Sequence, residues 1–591
     1  MTIDTKPKST NLFNDQVPIA IGITGHRNIH PDAIDRIRQQ LTKVFTDLKI
    51  SYPNSPLVLL TPLAEGADQL AAEVALEQGV EIYAVLPMTQ DEYGKDFSTS
   101  EQRKRFDRLF DTAVCHKSLN KFDPQAQRDL CYAYVGKWLV DHSDLMLALW
   151  NGETNDLTGG TAEVVNYAVN NVFPSLKTQL EADHWPRDKK AVIHIDTLRR
   201  SEDQSKEQSE REMVYLESGQ RAQDIQNIPY AGSIAGLELL SQIEKYNQTT
   251  ADATEPGYPL TTHEESKLPL HLRFLHRLYR KSDNVANSYQ KSFRAYTQIF
   301  FTLTAILLLI LLLYFRVLPF TYVIVCYLVV YLITLLVSMR LRNTDAQKKY
   351  QLYRLLGETS RLFFFFAVSE ETTGQRHSVL NSAREAHYFL RKLGDENRWI
   401  MNLFRKKELY DPLASKLIDK ETADVAADAL QTVKNHWVHD QHKYFSNASQ
   451  RDRGKLVKLN RIGLCLFVLS FISGVLLLLI KYAGLNYSTT IVAVLGMAIA
   501  ASAGLGGIVK SYAFTMGYSE LAGRYELMES LFSEAYQRIS SEQDEAVTII
   551  DQLWWEAFME NIEWFSLKNS RMVNTIDIKK FVKELINLTR L

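Results

Sequence analysis

IAIGITGHRNIHPDAIDRIRQQLTKVFTDLKISYPNSPLVLLT, residues 19–61, decides the fold of the first part of the chain. A short, almost wholly apolar run, Ile19–Thr24, leads into a glycine-containing loop. The amphipathic stretch that follows sets Ile34, Ile37, Leu41, Val44 and Leu48 on one helical face, with Pro31 suited to its first turn. A second apolar run, Leu57–Thr61, closes the unit. Runs that do not alternate with polar residues belong to strands covered on both faces, the habit of parallel sheets.

Working outward, Ile82–Leu86, Leu145–Trp150 and Val192–Ile195 are runs of the same kind, with helical stretches between them. One of these opens with Ser98-x-x-Glu101, the spacing of a capping box. Residues 17–197 therefore read as an α/β domain, a Rossmann-like doubly wound parallel sheet. Residues 198–275 read as a polar linker with a short helical piece, from the tracts SEDQSKEQSERE and TTADATEPGYPLTTHEESK.

The remainder is expected to be an all-α membrane domain. Residues 295–315, 320–339, 462–480 and 489–509 contain no Asp, Glu, Lys, Arg or His, and each can cross about 30 Å of hydrocarbon at 1.5 Å per residue. They make two transmembrane hairpins, within 276–460 and 461–591, each followed by cytoplasmic helices. Basic residues crowd one side. Arg277, Arg280, Lys281, Lys291 and Arg294 precede the first span, and Arg340, Arg342, Lys348 and Lys349 follow the second. Arg451, Arg453, Lys455, Lys458 and Arg461 precede the third, and Lys510 follows the fourth, whereas the opposite loops hold only Arg316 and Lys481. The positive-inside rule then puts both termini in the cytoplasm, in a multi-pass protein of a bacterial inner membrane.

Composition narrows the classes. A length of 591 residues allows up to about four domains. With 67 Lys+Arg against 69 Asp+Glu the chain is near neutral, which argues against a nucleic-acid partner. Cys115, Cys131, Cys326 and Cys465 lie far apart, which fits a reducing compartment and excludes a disulfide scaffold. The N-terminal MTIDTKPKSTNLFNDQ lacks the apolar core of a signal peptide. His436, His439 and His442 have no carboxylate partner at metal-site spacing and read as a solvated helix face. Phe363–Phe366, Trp554, Trp555 and Trp564 read as packing residues, and Asp141 and Asp144 as structural ones.

In an open parallel sheet, ligands bind beyond the carboxyl ends of the strands. Three loops there are unusual: Thr24-Gly25-His26-Arg27, then Pro62 to Asp68 with Glu65 and Gly66, then TGGTAEVV with Gly159, Gly160, Thr161 and Glu163. Arg27 can fork onto a phosphate. Thr161 as N-cap would leave first-turn amides for an incoming anion, and Glu163 could accept from a ribose hydroxyl. A nucleotide site is the better reading of the three together. The fourth span carries small residues at Gly496, Ala500 and Gly504 and at Ala503 and Gly507, a spacing that permits close helix approach.

GITGHRN, SPLVLLTPLAEGADQLAAEVAL, AVLPMTQDEYGKDF, VDHSDLMLALWNG and GGTAEVVNYA together resemble the SLOG superfamily, the Rossmann-like group related to the Lonely Guy phosphoribohydrolases and the Smf/DprA proteins. The resemblance covers nearly all of 17–197. It implies nucleotide binding at Thr24, Gly25, His26, Arg27, Glu65, Gly66, Asp68, Gly159, Gly160, Thr161 and Glu163. Lonely Guy enzymes carry a longer P-G-G-x-G-T-x-x-E loop, and its shortening here favours sensing over hydrolysis. YRLLGETSRLFFFF, HWVHDQHKYFSNA and ELAGRYELMESLFSEA are similar to segments of SLATT domains, two-span membrane effectors associated with SLOG and with cyclic-nucleotide synthases. The two resemblances imply a membrane effector of bacterial defence. It would sense a nucleotide, cyclic or ADP-ribose-type signal made by a partner synthase, and would open or assemble a pore as a homo-oligomer in the lipid bilayer. No cofactor is expected besides that ligand. The alternative is a membrane-tethered nucleotide N-glycosidase with Arg27 on the phosphate and Glu163 polarising the sugar. A transporter or scaffold with a degenerate nucleotide site is the second alternative.

Overall fold

A computed structural model of the chain describes residues 13, 16–153, 157–176, 190–199, 214–216, 237–249, 260–261, 265, 268–316, 318–343, 345–373, 392–393, 397, 399–410, 429–482, 488–541 and 545–570. These fall into two compact units. The first takes those within 1–250, 265–277 and 376–423, the second those within 251–264, 278–375 and 424–591.

The first unit is built on one sheet of β1 (Ile19–Gly25), β2 (Leu57–Thr61), β3 (Glu81–Leu86), β4 (Cys115–Ser118), β5 (Leu145–Trp150), β6 (Ala191–Asp196) and β7 (Val214–Leu216), in the order β4-β3-β2-β1-β5-β6-β7. The first six are parallel, and β7 runs antiparallel to β6. The apolar runs mark five of these strands. β4 gives no such signal because its Cys-His-Lys-Ser is short and polar, and β7 lies inside the polar tract after 198.

Helices α1 (Ile34–Ser51), α2 (Ala67–Glu77), α3 (Gln90–Tyr93), α4 (Ser100–Thr112), α5 (Arg128–His142) and α6 (Thr161–Asn170) follow the strands. α1 buries Ile37, Leu41, Val44, Phe45 and Leu48, each worth roughly 1.5–3 kcal/mol on burial, whereas Ile34 stays exposed at its start. The capping box expected at Ser98 does not form. Thr99 is the N-cap of α4 and accepts from Gln102 N–H at 3.2 Å, while Ser98 is turned toward Glu65.

The amino ends of the strands are covered by α7 (Glu238–Gln248) and by a segment far along the chain, α11 (Trp399–Arg405) with the turn Lys406–Leu409. Glu244 of α7 accepts from Asn54 and from Ser55 Oγ at 2.6 Å, and Asn247 pairs with the main chain of Val17. Lys406 is fully buried, bonded to Asp144 and to the Pro18 carbonyl at 2.6 Å. Tyr410 stacks on Phe274 at 4.4 Å, and Glu408 pairs with His142 at 3.0 Å. These contacts are why the unit extends beyond 17–197.

The second unit is helical. α8 (Leu270–Arg316) starts in the first unit and continues unbroken into the second. Then come α9 (Thr321–Asn343), α10 (Ala346–Thr373), α12 (Asp440–Tyr482), α13 (Thr489–Met516), α14 (Tyr518–Ser541) and α15 (Ala546–Ser570). An aromatic core joins the less apolar helices. Phe363–Phe366 are buried, Trp437 stacks on Phe365, and Trp554 lies against Phe558 with its indole N–H on the Leu362 carbonyl at 2.8 Å. Val433–His439 forms a π-helix, which changes the phase of His436 and His439 from that of an α-helix. No metal-holding group occurs among the described residues.

Four helices are long and apolar enough to cross a membrane, and their apolar stretches are mostly uncovered by protein: Leu328, Leu332 and Leu336 of α9 and Leu464, Phe471 and Leu478 of α12 are all exposed. Surface of that extent suits lipid rather than water. Within the unit, Gly504 of α13 meets Leu308 of α8, and Gly506 meets Phe467 of α12, while Gly507 has nothing within 4 Å.

Candidate functional site

From β1 the chain winds outward through β2, β3 and β4, then returns to lay β5 on the other side of β1. The loops after β1 and β5 therefore diverge, and that divergence is where open α/β sheets take ligands. A cavity of about 460 Å³ lies there, ample for a small ligand. It is lined by Thr24 and Gly25 at the end of β1 with His26 and Arg27 after it, by Asp68 at the start of α2, and by Gly159, Gly160 and Thr161 at the start of α6.

Glycines hold these loops together by allowing backbone to meet backbone. A Cβ on Gly25 would fall 2.4 Å from that of Ala67 and 2.8 Å from the Leu149 carbonyl. Gly66, at φ +81°, would strike the Arg27 and His26 carbonyls at 2.2 and 2.5 Å, and Gly159, at φ +70°, the Ala133 amide at 2.6 Å. Packing among the loops and α5 by itself requires a residue without a Cβ at each of them. Leu63 adds strain, buried at φ +58° with its amide on Thr61 Oγ1.

One end of the cavity suits an anion. Gly160, not Thr161, is the N-cap of α6, and no side chain caps it. Thr161 is thus the first helical residue, and the first-turn amides of α6 stand at the cavity wall with the positive end of the helix dipole. The Arg27 guanidinium lies over the Tyr132 ring at 4.8 Å, and among the described residues no carboxylate reaches it within ion-pair distance. Asp96, which accepts from the Tyr132 hydroxyl, is paired with Arg128 at 2.8 Å. Arg199, three residues past β6, brings a second guanidinium, its Nε 3.3 Å from His26 Nε2. Asn151 places its amide on the same imidazole nitrogen at 3.1 Å, so His26 is held between the loops after β5 and β6.

Behind the anion end lie two buried groups, Asp68 and Tyr93. Asp68 sits in the first turn of α2, 5% exposed, with Oδ2 accepting from Ala64 N–H at 3.3 Å. Burial pushes its carboxyl up to about 7, against the opposing pull of the Ala64 amide and the Arg27 charge. Tyr93, 1% exposed, keeps its phenol well above the usual range because it is buried, and among the described residues its hydroxyl has no hydrogen-bond partner. Tyr132 is pushed up to about 12 by burial and by its bond to Asp96.

Glu65, Gly66 and Glu163 do not line the cavity. Glu65 accepts from Ser98 Oγ at 3.0 Å, fastening the loop after β2 to the approach to α4. Glu163 accepts from the amides of Gly159 at 2.7 Å and Ser175 at 2.8 Å, which commits its two carboxylate oxygens to the loop before α6 and the turn after it. Sequence reasoning missed Tyr93, Tyr132 and Arg199. Tyr93 lies within AVLPMTQDEYGKDF but was not singled out there, Tyr132 sits on α5 with no motif, and Arg199 lies just past 197, where the polar tract begins. Its only signal is an Arg directly after the carboxyl end of a strand run. In comparisons with known proteins, no family model matches the chain and no curated protein is significantly similar to it.

Proposed function

We propose that the chain is a membrane-bound receptor for a nucleotide-derived signal: a SLOG-like sensor whose occupancy alters a SLATT-like membrane part, opening or assembling a pore in bacterial defence. The observation that carries the reading is Arg27, a guanidinium that no carboxylate among the described residues reaches within ion-pair distance, beside an uncapped helix N-terminus in a cavity at the divergence of β1 and β5. That combination is what a phosphate needs.

A route for the signal follows from the same strands. β1 and β5 bear the cavity at their carboxyl ends and Lys406 at their amino ends, through Pro18 and Asp144. Residues 399–410 stand in the chain between the two pairs of apolar helices. A ligand that prefers one arrangement of the loops would shift the populations open to that segment, by no more than its differential affinity. Basic flanks support an inner-membrane placement with both termini cytoplasmic. Assembly as a homo-oligomer and a partner synthase that makes the signal belong to the same proposal.

A hydrolase reading has Asp68 in its favour, a buried acid poised near neutrality in the cavity, but Glu163, which would polarise the sugar, is taken up by its own loop. The test is dye leakage from liposomes carrying the full chain, challenged with a panel of nucleotides, beside chromatography for released base. Leakage with intact ligand, lost in Arg27→Ala, is expected. Leakage that ignores Arg27 moves the site elsewhere, and released base makes the chain an enzyme. Topology is checked by thiol labelling: Tyr482→Cys should react with an impermeant reagent from the periplasmic side and Asn447→Cys should not.

A further inference from the structure

Away from the cavity, the last residue of α5, His142, meets the docked segment 399–410. Its Nδ1 lies 2.8 Å from the Trp138 carbonyl and its Nε2 3.0 Å from a Glu408 carboxylate oxygen. A carbonyl and an ionised carboxylate only accept hydrogen bonds, so each ring nitrogen has to bring a proton. Against the burial that would raise it, the charge and hydrogen bond of His142 hold the Glu408 carboxyl well below the usual carboxylate range, and Lys117 and Lys407 pull the same way. A neutral imidazole has one N–H and serves only one of the two acceptors; the ring that serves both is the imidazolium. That ring lies flat on Trp138, centroids 3.9 Å apart at 14°, where the indole face attracts a cation.

The neighbouring charges have positions of their own. Lys117 of β4 stands 3.8 Å from Glu408 and 5.6 Å over the Trp138 ring, and Lys407 flanks Glu408 on the docked turn. Asp141 of α5 is paired with Lys137 at 2.6 Å, and Asp144 with Lys406. Arg405 reaches the Asp141 carbonyl at 3.5 Å. Among the described residues, Glu408 is therefore the carboxylate that pairs with His142, and it is carried by the segment that docks.

We propose that His142 is a proton switch for the docking of 399–410: protonated, it ties Glu408 to α5, and on losing that proton it turns a lone pair on the carboxylate and lets the segment loosen. Any bearing on the membrane part rests on the route proposed above, whereas the docking itself does not. The docked state holds a proton that the released state can give up, so release is favoured by rising pH, by at most about tenfold per pH unit for one proton. Free histidine titrates near pH 6.5, so the change should fall between about pH 6 and about pH 8.

Hydrogen exchange of the full chain in lipid nanodiscs at those two pH values, with labelling times scaled for the intrinsic rate, reads the opening of peptides covering 399–410. The Glu408 side chain is 46% exposed and solvent screens the pair, so opening should rise about three- to tenfold from the lower pH to the higher. His142→Gln cannot titrate, and the amide of Glu408→Gln can pair with the ring in either protonation state. Each variant should open equally at both pH values, and no more than wild type does at the higher one. Burial pulls Lys406 below the usual lysine range against the hold of Asp144, so this lysine is the competing base. A rise that persists in His142→Gln overturns the switch and assigns the proton to Lys406. Equal opening of wild type at the two pH values overturns it as well, and leaves the cavity and the route through Lys406 standing.

Discussion

Replacing Lys406 with Met tests whether the segment 399–410 is fastened to the sheet by one buried ion pair. The Lys406 and Asp144 side chains are each 1% exposed. Nζ also donates to the Pro18 carbonyl at 2.6 Å, and Asp144 Oδ2 accepts from Ala20 N–H at 2.8 Å. Methionine preserves the apolar stem, but Asp144 then keeps a single donor and Pro18 none. Removing one partner of a buried pair costs about 3–5 kcal/mol, because the other charge is left uncompensated. At 1.4 kcal/mol per decade, opening of this region should rise roughly 140- to 3,700-fold. Hydrogen exchange of the full chain in nanodiscs reads it, through peptides covering 399–410 and 17–23. The double variant Lys406→Met/Asp144→Leu removes the stranded charge and should recover most of the loss. A single-variant effect below about threefold would show that the pair does not hold the segment. A double variant no better than the single would refute uncompensated charge as the cause.

Gly66→Ala should destabilise by about 2–5 kcal/mol, a left-handed penalty plus overpacking against the Arg27 carbonyl, whereas Gly152→Ala, at φ +79° with open space around it, should show only the first, about 1–2 kcal/mol. Equal shifts in chemical denaturation would refute the backbone contact. Asp68 titrates near 7 in the folded chain against about 4 unfolded, so its protonated form is favoured on folding: its stabilising contribution is complete below pH 4 and is lost as pH rises through 7, by an amount on the order of 4 kcal/mol. Asp68→Asn should flatten that pH dependence of stability, and an unchanged profile would count against burial as the cause. Gly504→Leu should lower the thermal midpoint in nanodiscs by the equivalent of about 1–3 kcal/mol through collision with Leu308, and Gly507→Leu should not. Matching midpoints would dismiss the α8–α13 contact.

The fold was readable where burial leaves a periodic mark. β1, β2, β3, β5 and β6 are covered on both faces and so are continuous apolar runs, and the four apolar helices declare themselves by length. β4 sits at the sheet edge, where one neighbour is missing and polar residues are tolerated, so Cys115–Ser118 carries no pattern. The docking of 399–410 was unreadable for a different reason. It depends on Lys406 meeting Asp144 across 262 positions of sequence, and a buried lysine looks like any surface lysine until its partner is known.

The site divides along the same line. Loops at the carboxyl ends of β1, β2 and β5 can be found from strand order alone, which is why Arg27, Asp68 and Gly159–Thr161 were within reach. The purpose of the glycines was not, because a residue without a Cβ gives the same letter whether ligand or protein comes close. Gly25, Gly66 and Gly159 each have protein atoms where the Cβ would be, so packing of the loops accounts for the absence of a side chain there. Glu65 and Glu163 serve the same end, fastening the loop after β2 to Ser98 and the loop before α6 to Ser175. What remains in the lining includes two guanidiniums, the α6 amides, two acids (Asp68 and Asp129) and two phenols (Tyr93 and Tyr132). Because the loops are fixed by glycines and carboxylates, a ligand meeting that set has little slack to take up. A displacement it forces at the carboxyl ends of β1 and β5 would then be borne by the strands themselves, whose amino ends are gripped by Lys406.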